Sequence, residues 1–236
     1  MISVCMATFN GALYVREQVG SILPQLGKGD ELVISDDSST DDTAAVIRSI
    51  TDPRIRFLAG NNFRNPTRNF ENALKHAKGD IIFLADQDDV WLPGKVSTLV
   101  EALKQYDFVT SDCTLVDENL ELIAPSFMGM VDGGTGLIRN LFLKPSPYIG
   151  ACFAFRKTVL DKAMPIPRNM LHHDYWIALV AEAFFRTTIV KKPLILFRRH
   201  GKNASKTGLK SDFSLQQKIT KRMQIVINLT KRAFVK

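Results

Sequence analysis

The sequence predicts an α/β domain with a mostly parallel central sheet, helices on both of its faces, and a basic amphipathic helix at the C-terminal end. Three observations predict it. Short apolar runs recur about two dozen residues apart, at 2–7, 31–35, 55–58 and 80–84. Between them lie segments with apolar residues at helical spacing, the βαβα alternation of a parallel sheet. Finally, fourteen Lys or Arg stand against one acid, Asp212, from Ala183 to the end, so the net charge of +7 belongs to the tail and the first 182 residues are net acidic.

The elements follow in order. Strand 2–7 ends in Phe9-Asn10-Gly11, an aromatic and a tight turn. Val15, Val19, Ile22, Leu23 and Leu26 form the buried stripe of a first helix. Strand 31–35 runs into Asp36-Asp37 and the turn Ser38-Ser39-Thr40; Thr40 or Asp41 can cap the next helix, marked by Ala44, Ala45, Ile47 and Ile50. Strand 55–58 is followed by Asn65-Pro66-Thr67, which opens a third helix that Lys78-Gly79 closes. Strand 80–84 is apolar on both faces and therefore buried. A helix at 93–106 and a strand at 107–111 complete this half. After Asp112 the rhythm breaks, with Gly and Pro accumulating between 125 and 147. Strand 148–155, helix 157–164, a Pro165-Ile166-Pro167 break, a helix from about Asp174 to Phe185, and short strands 188–190 and 194–197 end the compact part. The expected division is a domain at 1–205, with a ligand-binding half at 1–112 and a completing half at 113–205, and a tail at 206–236.

With 236 residues and 45% apolar content, the chain can bury a substantial core. Cys5, Cys113 and Cys152 are too few and too scattered for a disulfide framework, which points to a reducing, cytoplasmic setting. The start at Met1-Ile2-Ser3-Val4 reads directly as a strand, with no basic leader, and no apolar run approaches the roughly 20 residues that span a bilayer. Because the basic charge is confined to the tail, nucleic acid is not an expected partner.

The densest chemistry is Ala85-Asp86-Gln87-Asp88-Asp89-Val90-Trp91, directly after the buried strand. Open α/β sheets bind ligands at the carboxyl ends of their strands, and three carboxylates in four residues repel one another unless a cation sits among them. A solvated turn is the bland reading. Asp36-Asp37 ends a neighbouring strand on the same edge; it either caps a helix or faces the same crevice. Phe9 beside it can stack a base or serve as core. There is no GxGxxG and no GxxxxGK[ST], so a diphosphate here would need a metal, with Mg²⁺ or Mn²⁺ as the hard cation. In His172-His173-Asp174-Tyr175-Trp176 a carboxylate can act as general base while the aromatics stack on a sugar; Asp174 as an N-cap is the alternative. Arg198-Arg199-His200 offers cationic donors and an imidazole for a diphosphate or metal.

The ordered pieces SVCMATFNG, ELVISDDSSTDDT, GDIIFLADQDDVWLPGKV, HHDYWIALVA and LILFRRHGKN, spanning about 2–203, resemble the bacterial family 2 glycosyltransferases, most closely the rhamnosyltransferase-like branch that builds surface polysaccharides. The resemblance implies a GT-A fold and an inverting, metal-dependent transfer from a nucleoside diphosphate sugar, dTDP- or UDP-linked, to a glycan or polyprenyl-linked acceptor. It implies that Phe9, Asn10, Asp36, Asp37, Asp86 and Arg199 bind the nucleotide sugar, that Asp88, Asp89 and His200 hold the cation, that Asp174 is the general base, and that Trp91, Tyr175 and Trp176 contact sugar or acceptor. The chain departs from the common pattern at Phe9, where Tyr is frequent, at Ser38, where Gly is usual, and at His173, where an acid is often found. Two other classes compete. One is a non-catalytic nucleotide-sugar-binding or membrane-docking relative, against which Asp88 and Asp174 argue; the other is a sugar nucleotidyltransferase, which generally needs a glycine-rich loop that ATFNG does not supply.

In the tail, Leu215, Ile219, Met223, Val226 and Ala233 fall at three- and four-residue steps, with Lys218, Lys221, Arg222, Lys231 and Arg232 on other faces. Such a helix either lies on an anionic membrane surface, peripheral to the cytoplasmic membrane, or packs on protein.

Overall fold

The computed structural model describes residues 1–131, 134–143, 147–170, 172–201 and 214–234. Among them nine strands form one sheet, whose main path is β3-β2-β1-β4-β8-β6-β9-β5. The first half is built as expected. The strands β1 (Ile2–Thr8), β2 (Glu31–Asp36), β3 (Ile55–Leu58) and β4 (Ile81–Asp86) are all parallel, joined by the helices α1 (Val15–Ile22), α2 (Thr43–Arg48) and α3 (Pro66–His76). Val4, Cys5, Met6, Leu32, Val33, Ile34, Ile82, Phe83 and Leu84 are sealed from solvent, as strands covered on both faces must be. Asn65 caps α3 by accepting the Arg68 N–H, and Pro66 stands at the first helical position.

The second half closes the sheet with mixed pairings. After β4 come a two-residue strand β5 (Val90–Trp91), helix α4 (Lys95–Ala102) and strand β6 (Phe108–Val116). Strand β7 (Leu122–Ala124) and the one-turn helix α5 (Phe127–Val131) precede β8 (Phe153–Arg156), α6 (Lys157–Ala163), α7 (His173–Phe184), β9 (Thr187–Arg198) and α8 (Leu215–Ala233). Strand β8 lies antiparallel to both β4 and β6, while β9 runs parallel to β6 and pairs antiparallel with β5.

Four local expectations are corrected. The break at Asp112 is the interior of β6: one carboxylate oxygen accepts the N–H groups of Cys113 and Met128 and the other accepts the Ser126 hydroxyl, so an acid inside a strand ties down α5. Residues 148–155 are not one strand, because a 3-10 turn occupies Gly150–Cys152. The two short C-terminal strands are one, carried through Lys191, Lys192 and Pro193 by register shifts against β6. The fourth is α8, which packs through Ile225 and Leu229, bonds Asn228 to Asn169 and uses Arg232 on the Pro165 carbonyl. The stripe chosen from sequence points outward instead, with Ile219, Met223 and Val226 exposed. The start of the expected tail, 206–213, lies outside the described residues.

Candidate active site

Sheet register lines up the acidic clusters. Thr8 pairs with Asp36 and Ala7 with Asp86, so the ends of β1, β2 and β4 open on one edge. Phe9 stands there 55% exposed, its ring open to a planar ligand. It is braced by Gln87, whose side chain accepts the Phe9 N–H at 2.9 Å and donates to the Phe9 carbonyl at 3.0 Å. Gly11 makes room for that amide: a Cβ on it would sit 2.2 Å from Gln87 Oε1. Asn10, at a positive φ of 49°, accepts the Thr40 N–H and so joins the two loops.

The pair at the end of β2 is committed to this framework. Asp36 is buried and accepts from the Thr8 hydroxyl, the Ser39 hydroxyl and the Ser39 N–H. Asp37 accepts the N–H groups of Phe63 and Asn65 at 2.5 and 3.1 Å, folding the 61–65 loop over the edge. The N-cap of α2 is Asp42, whose side chain makes no capping bond, and not Thr40 or Asp41; Asp41 accepts the Thr43 N–H beside it.

Around β4 the charges converge. The Asp86 carboxyl is pushed up to about 8, first by burial and then by the charges of Asp88 and Asp174, with Lys95 pulling the other way. Asp174, nearly ninety residues away in sequence, is therefore near enough for its charge to act on Asp86. Burial, then Asp88 and Asp86, also hold the Asp89 carboxyl well above the usual range. Asp89 is 1% exposed; its Oδ1 accepts the Arg198 N–H at 3.0 Å and its Oδ2 is enclosed with no hydrogen-bond partner among the described residues. Asp88 meets His200, with Oδ2 and Nε2 2.8 Å apart. The β5–β9 pairing delivers this contact by returning the chain from Leu196 and Ile195 to Val90 and Trp91.

These residues fit a divalent cation. Burial and mutual repulsion push the Asp86 and Asp89 carboxyls up, and Asp89 leaves a carboxylate oxygen unsatisfied; a cation would relieve both. No group of three or more His, Cys, Asp or Glu side chains among the described residues is gathered tightly enough to hold an ion alone. Mg²⁺ and its like are commonly bound through one or two carboxylates, with substrate phosphates and water completing the shell, and Asp88 would supply one such carboxylate beside the His200 imidazole.

Asp174 stands in the first turn of α7. Its Oδ1 accepts the Tyr175 N–H at 2.7 Å, and its Oδ2 lies 3.3 Å from the Gly150 N–H. A side chain at Gly150 would meet Asp174 Cβ at 3.0 Å, so this glycine lets the 3-10 turn approach the acid. His173 turns inward, stacking on Phe70 with ring centroids 3.9 Å apart, and burial holds its imidazole down at about 4.

Two expected sugar contacts are core residues. Trp176 is fully buried with its indole N–H on the Ala163 carbonyl, and Trp91 is 2% exposed, tilted against Phe83. Tyr175 is half-buried and donates its hydroxyl to the Asn140 carbonyl. Arg199 anchors its backbone N–H on Val116.

Sequence reasoning missed Tyr14 and Lys95, and it took Arg198 as a donor for a diphosphate or metal where the fold bonds it to protein groups. Arg198, 3% exposed, donates to the Asp88 and Glu118 carbonyls and pairs with Glu17. Tyr14 lies between that guanidinium, 4.8 Å from its ring, and His200, stacked at 5.0 Å. Lys95 is fully buried, donates to the Ala151 carbonyl, and lies 4.6 Å over the Trp91 ring. Burial pulls its ammonium down to about 8, opposed by Cys152, Asp89, Cys113 and Asp86. Its place within WLPGKV, four residues past Trp91, was the available signal.

A model of glycosyl transferase family 2 matches residues 3–163. The chain is 33% identical over 170 residues to a GalNAc(5)-diNAcBac-PP-undecaprenol beta-1,3-glucosyltransferase of Campylobacter jejuni, covering 68% of this chain and 53% of that one. It is 24% identical over 214 residues to the dTDP-rhamnosyl transferase RfbG of Shigella flexneri, covering 84% and 72%. The chain thus spans about half the length of the Campylobacter relative. Among solved structures, S. aureus TarS 1-349 in complex with UDP-GlcNAc superposes with a TM-score of 0.70 at 19% identity, covering 99% of this chain and 72% of that one. The mannosyltransferase PcManGT from Pyrobaculum calidifontis, in complex with GDP-Man and Mn2+, gives 0.64 at 18% identity, covering 100% and 64%. At these identities the likeness shows a shared GT-A architecture.

Proposed function

The chain belongs to glycosyl transferase family 2, and from that premise we propose that it transfers a sugar with inversion from a nucleoside diphosphate sugar to an acceptor hydroxyl in surface polysaccharide assembly. The observation that carries the reading is the place of Asp86 at the end of β4, where the charges of both Asp88 and Asp174 bear on its carboxyl. In this reading Phe9 stacks the base, Asp37 accepts from it, and Asp86 takes the ribose. Mg²⁺ or Mn²⁺, held by Asp88 and His200, would supply positive charge to the diphosphate. Asp174 accepts the proton of the acceptor hydroxyl while its oxygen attacks the anomeric carbon. The bond from that carbon to the diphosphate oxygen breaks on the opposite face, and the bonding pair leaves with the diphosphate.

The donor we favour is a dTDP-sugar, rhamnose in the first instance, on the sequence pattern and the likeness to RfbG. The acceptor we favour is polyprenyl-linked, since the Campylobacter relative is named for an undecaprenol-linked substrate. No helix among the described residues is long and apolar enough to cross a membrane. The outer face of α8 offers another means of attachment. Ile219, Met223, Val226 and Ile227 are exposed beside Phe142, with Arg222 over the Phe142 ring, an apolar surface flanked by cations that suits an anionic bilayer. Flotation of the full chain with anionic vesicles, compared with Met223→Ser/Ile227→Ser, tests that attachment; equal flotation refutes it. A panel of nucleotide sugars read by diphosphate release tests the activity, and release from none of them would overturn the reading.

A further inference from the structure

Away from the acidic crevice, α3, the segment around Pro165–Pro167 and the end of α8 enclose a cleft of about 620 Å³. Its wall carries five cations, Arg68, Lys75, Arg168, Lys231 and Arg232, against one acid, Glu71. Glu71 is already engaged: nearly buried, it pairs with Arg68 at 2.5 Å and Lys75 at 3.4 Å, and it accepts the Ile166 N–H. Arg68 is fixed further by donating to the Ile166 and Pro167 carbonyls, and Arg232 by donating to Pro165. Arg168 and Lys231 have exposed side chains with no hydrogen bond or ion pair among the described residues.

The remaining positive charge is thus held in a concave site, three of whose cations stand in the first 182 residues, which are net acidic. Arginine forks fixed in place, with mobile lysine beside them, match the oxygens of a phosphate group, and the volume falls in the range of ligand sites. The cleft is tied to the crevice: Phe70, on the helix that carries Arg68, Glu71 and Lys75, stacks on His173 beside Asp174. The donor diphosphate has its own place at the acidic edge, where a cation would carry it. A second site built of guanidinium and ammonium donors can hold an anion directly.

We propose that the cleft binds the phosphate or diphosphate through which an acceptor is joined to its carrier. The identity of the anion as part of an acceptor rests on the transferase reading; the anion site itself does not. The test uses the full chain and the double variant Arg168→Ser/Lys231→Ser, whose side chains make no hydrogen bond or ion pair among the described residues. Calorimetric titration in EDTA with inorganic pyrophosphate and with geranyl diphosphate should show about tenfold weaker binding by the variant, the size expected for losing two charge-assisted contacts. Binding of dTDP or UDP with Mn²⁺ should be the same in both proteins. If nucleotide binding fails in both while the diphosphate difference persists, the transferase reading falls and the anion site stands. Equal binding of both diphosphates by the two proteins overturns the proposal. So does a loss confined to phosphatidylglycerol vesicles, which would assign the charge to a lipid surface instead of an acceptor phosphate.

Discussion

His200 Nε2 lies 2.8 Å from Asp88 Oδ2 although 112 residues separate them in the chain. The contact exists because β9 turns back along β5, and Tyr14 stacks on the imidazole to hold it there. Removing the carboxylate should abolish the metal-dependent part of nucleotide binding. Titration of Asp88→Ala with UDP and dTDP, with and without Mn²⁺, should show no gain from the metal. His200→Ala, which keeps the carboxylate, should retain part of the gain; an undiminished gain in Asp88→Ala would refute the assignment.

Asp174 should behave differently. Its carboxylate is placed by the Gly150 N–H and by the first turn of α7, with no hydrogen bond to Asp88 or His200 among the described residues. Asp174→Asn should leave nucleotide binding nearly intact and lower turnover by about a thousandfold, within the range for loss of a general base. Gly150→Ala should lower turnover less, by pressing on the Asp174 Cβ. Loss of nucleotide affinity in Asp174→Asn would contradict the separation of roles.

Gln87 holds Phe9 by both backbone groups, and Gly11 leaves the space it occupies. Gly11→Ala and Gln87→Ala should therefore both weaken donor binding, by about tenfold or less, with little change in melting temperature. An unchanged nucleotide affinity in both variants would remove Phe9 from the binding surface.

His173 gives a pH signature. Its imidazole titrates near 4 because burial opposes the charge, so between pH 4 and the ordinary value of 6.5 the folded state binds fewer protons than the unfolded one. Stability from this residue is complete above pH 6.5 and is lost as pH falls through 4, amounting to at most about 3 kcal/mol. His173→Phe keeps the stack on Phe70 and removes the titration. The difference in melting temperature between wild type and variant should shift in the variant's favour as pH drops from 7 to 4.5, and a constant difference would show that His173 is not held neutral.

Trp176 and Trp91 should register in stability and not in acceptor affinity. Trp176→Ala should cost about 3–5 kcal/mol, as for large core truncations. Trp176→Phe should fold less stably and leave the acceptor KM unchanged; a raised KM with unaltered stability would return Trp176 to the binding surface.

The strength of each signal in the chain explains which features were legible. The β1–β4 alternation shows in local periodicity because parallel strands covered on both faces must be continuously apolar, and Asp36, Asp86 and Asp88 follow at strand ends because register then puts those ends on one edge. The family pattern rests on the same short runs. Strand β5 is two residues long and β9 passes through Lys191-Lys192-Pro193, so neither carries a period that could be read. An indole in a motif looks the same whether it stacks on a sugar or fills a core, and Trp91 and Trp176 fill the core.

Burial and long-range pairing decided the rest. Lys95 carried no signal beyond its place in WLPGKV and Arg198 read as a donor to a diphosphate or metal, until the fold enclosed them beside Asp86, Asp88 and Asp89. Asp174 joined those acids only when β8, lying antiparallel to β4, carried the 3-10 turn at Gly150–Cys152 and the start of α7 to the sheet edge. The sequence by itself determined the α/β class, the parallel half of the sheet and the residue types of the acidic edge, since these depend on hydrophobic period and strand ends. Which carboxylates share one crevice, and which aromatics never reach it, only the tertiary structure decided, because desolvation and charge repulsion depend on distances between residues far apart in the chain.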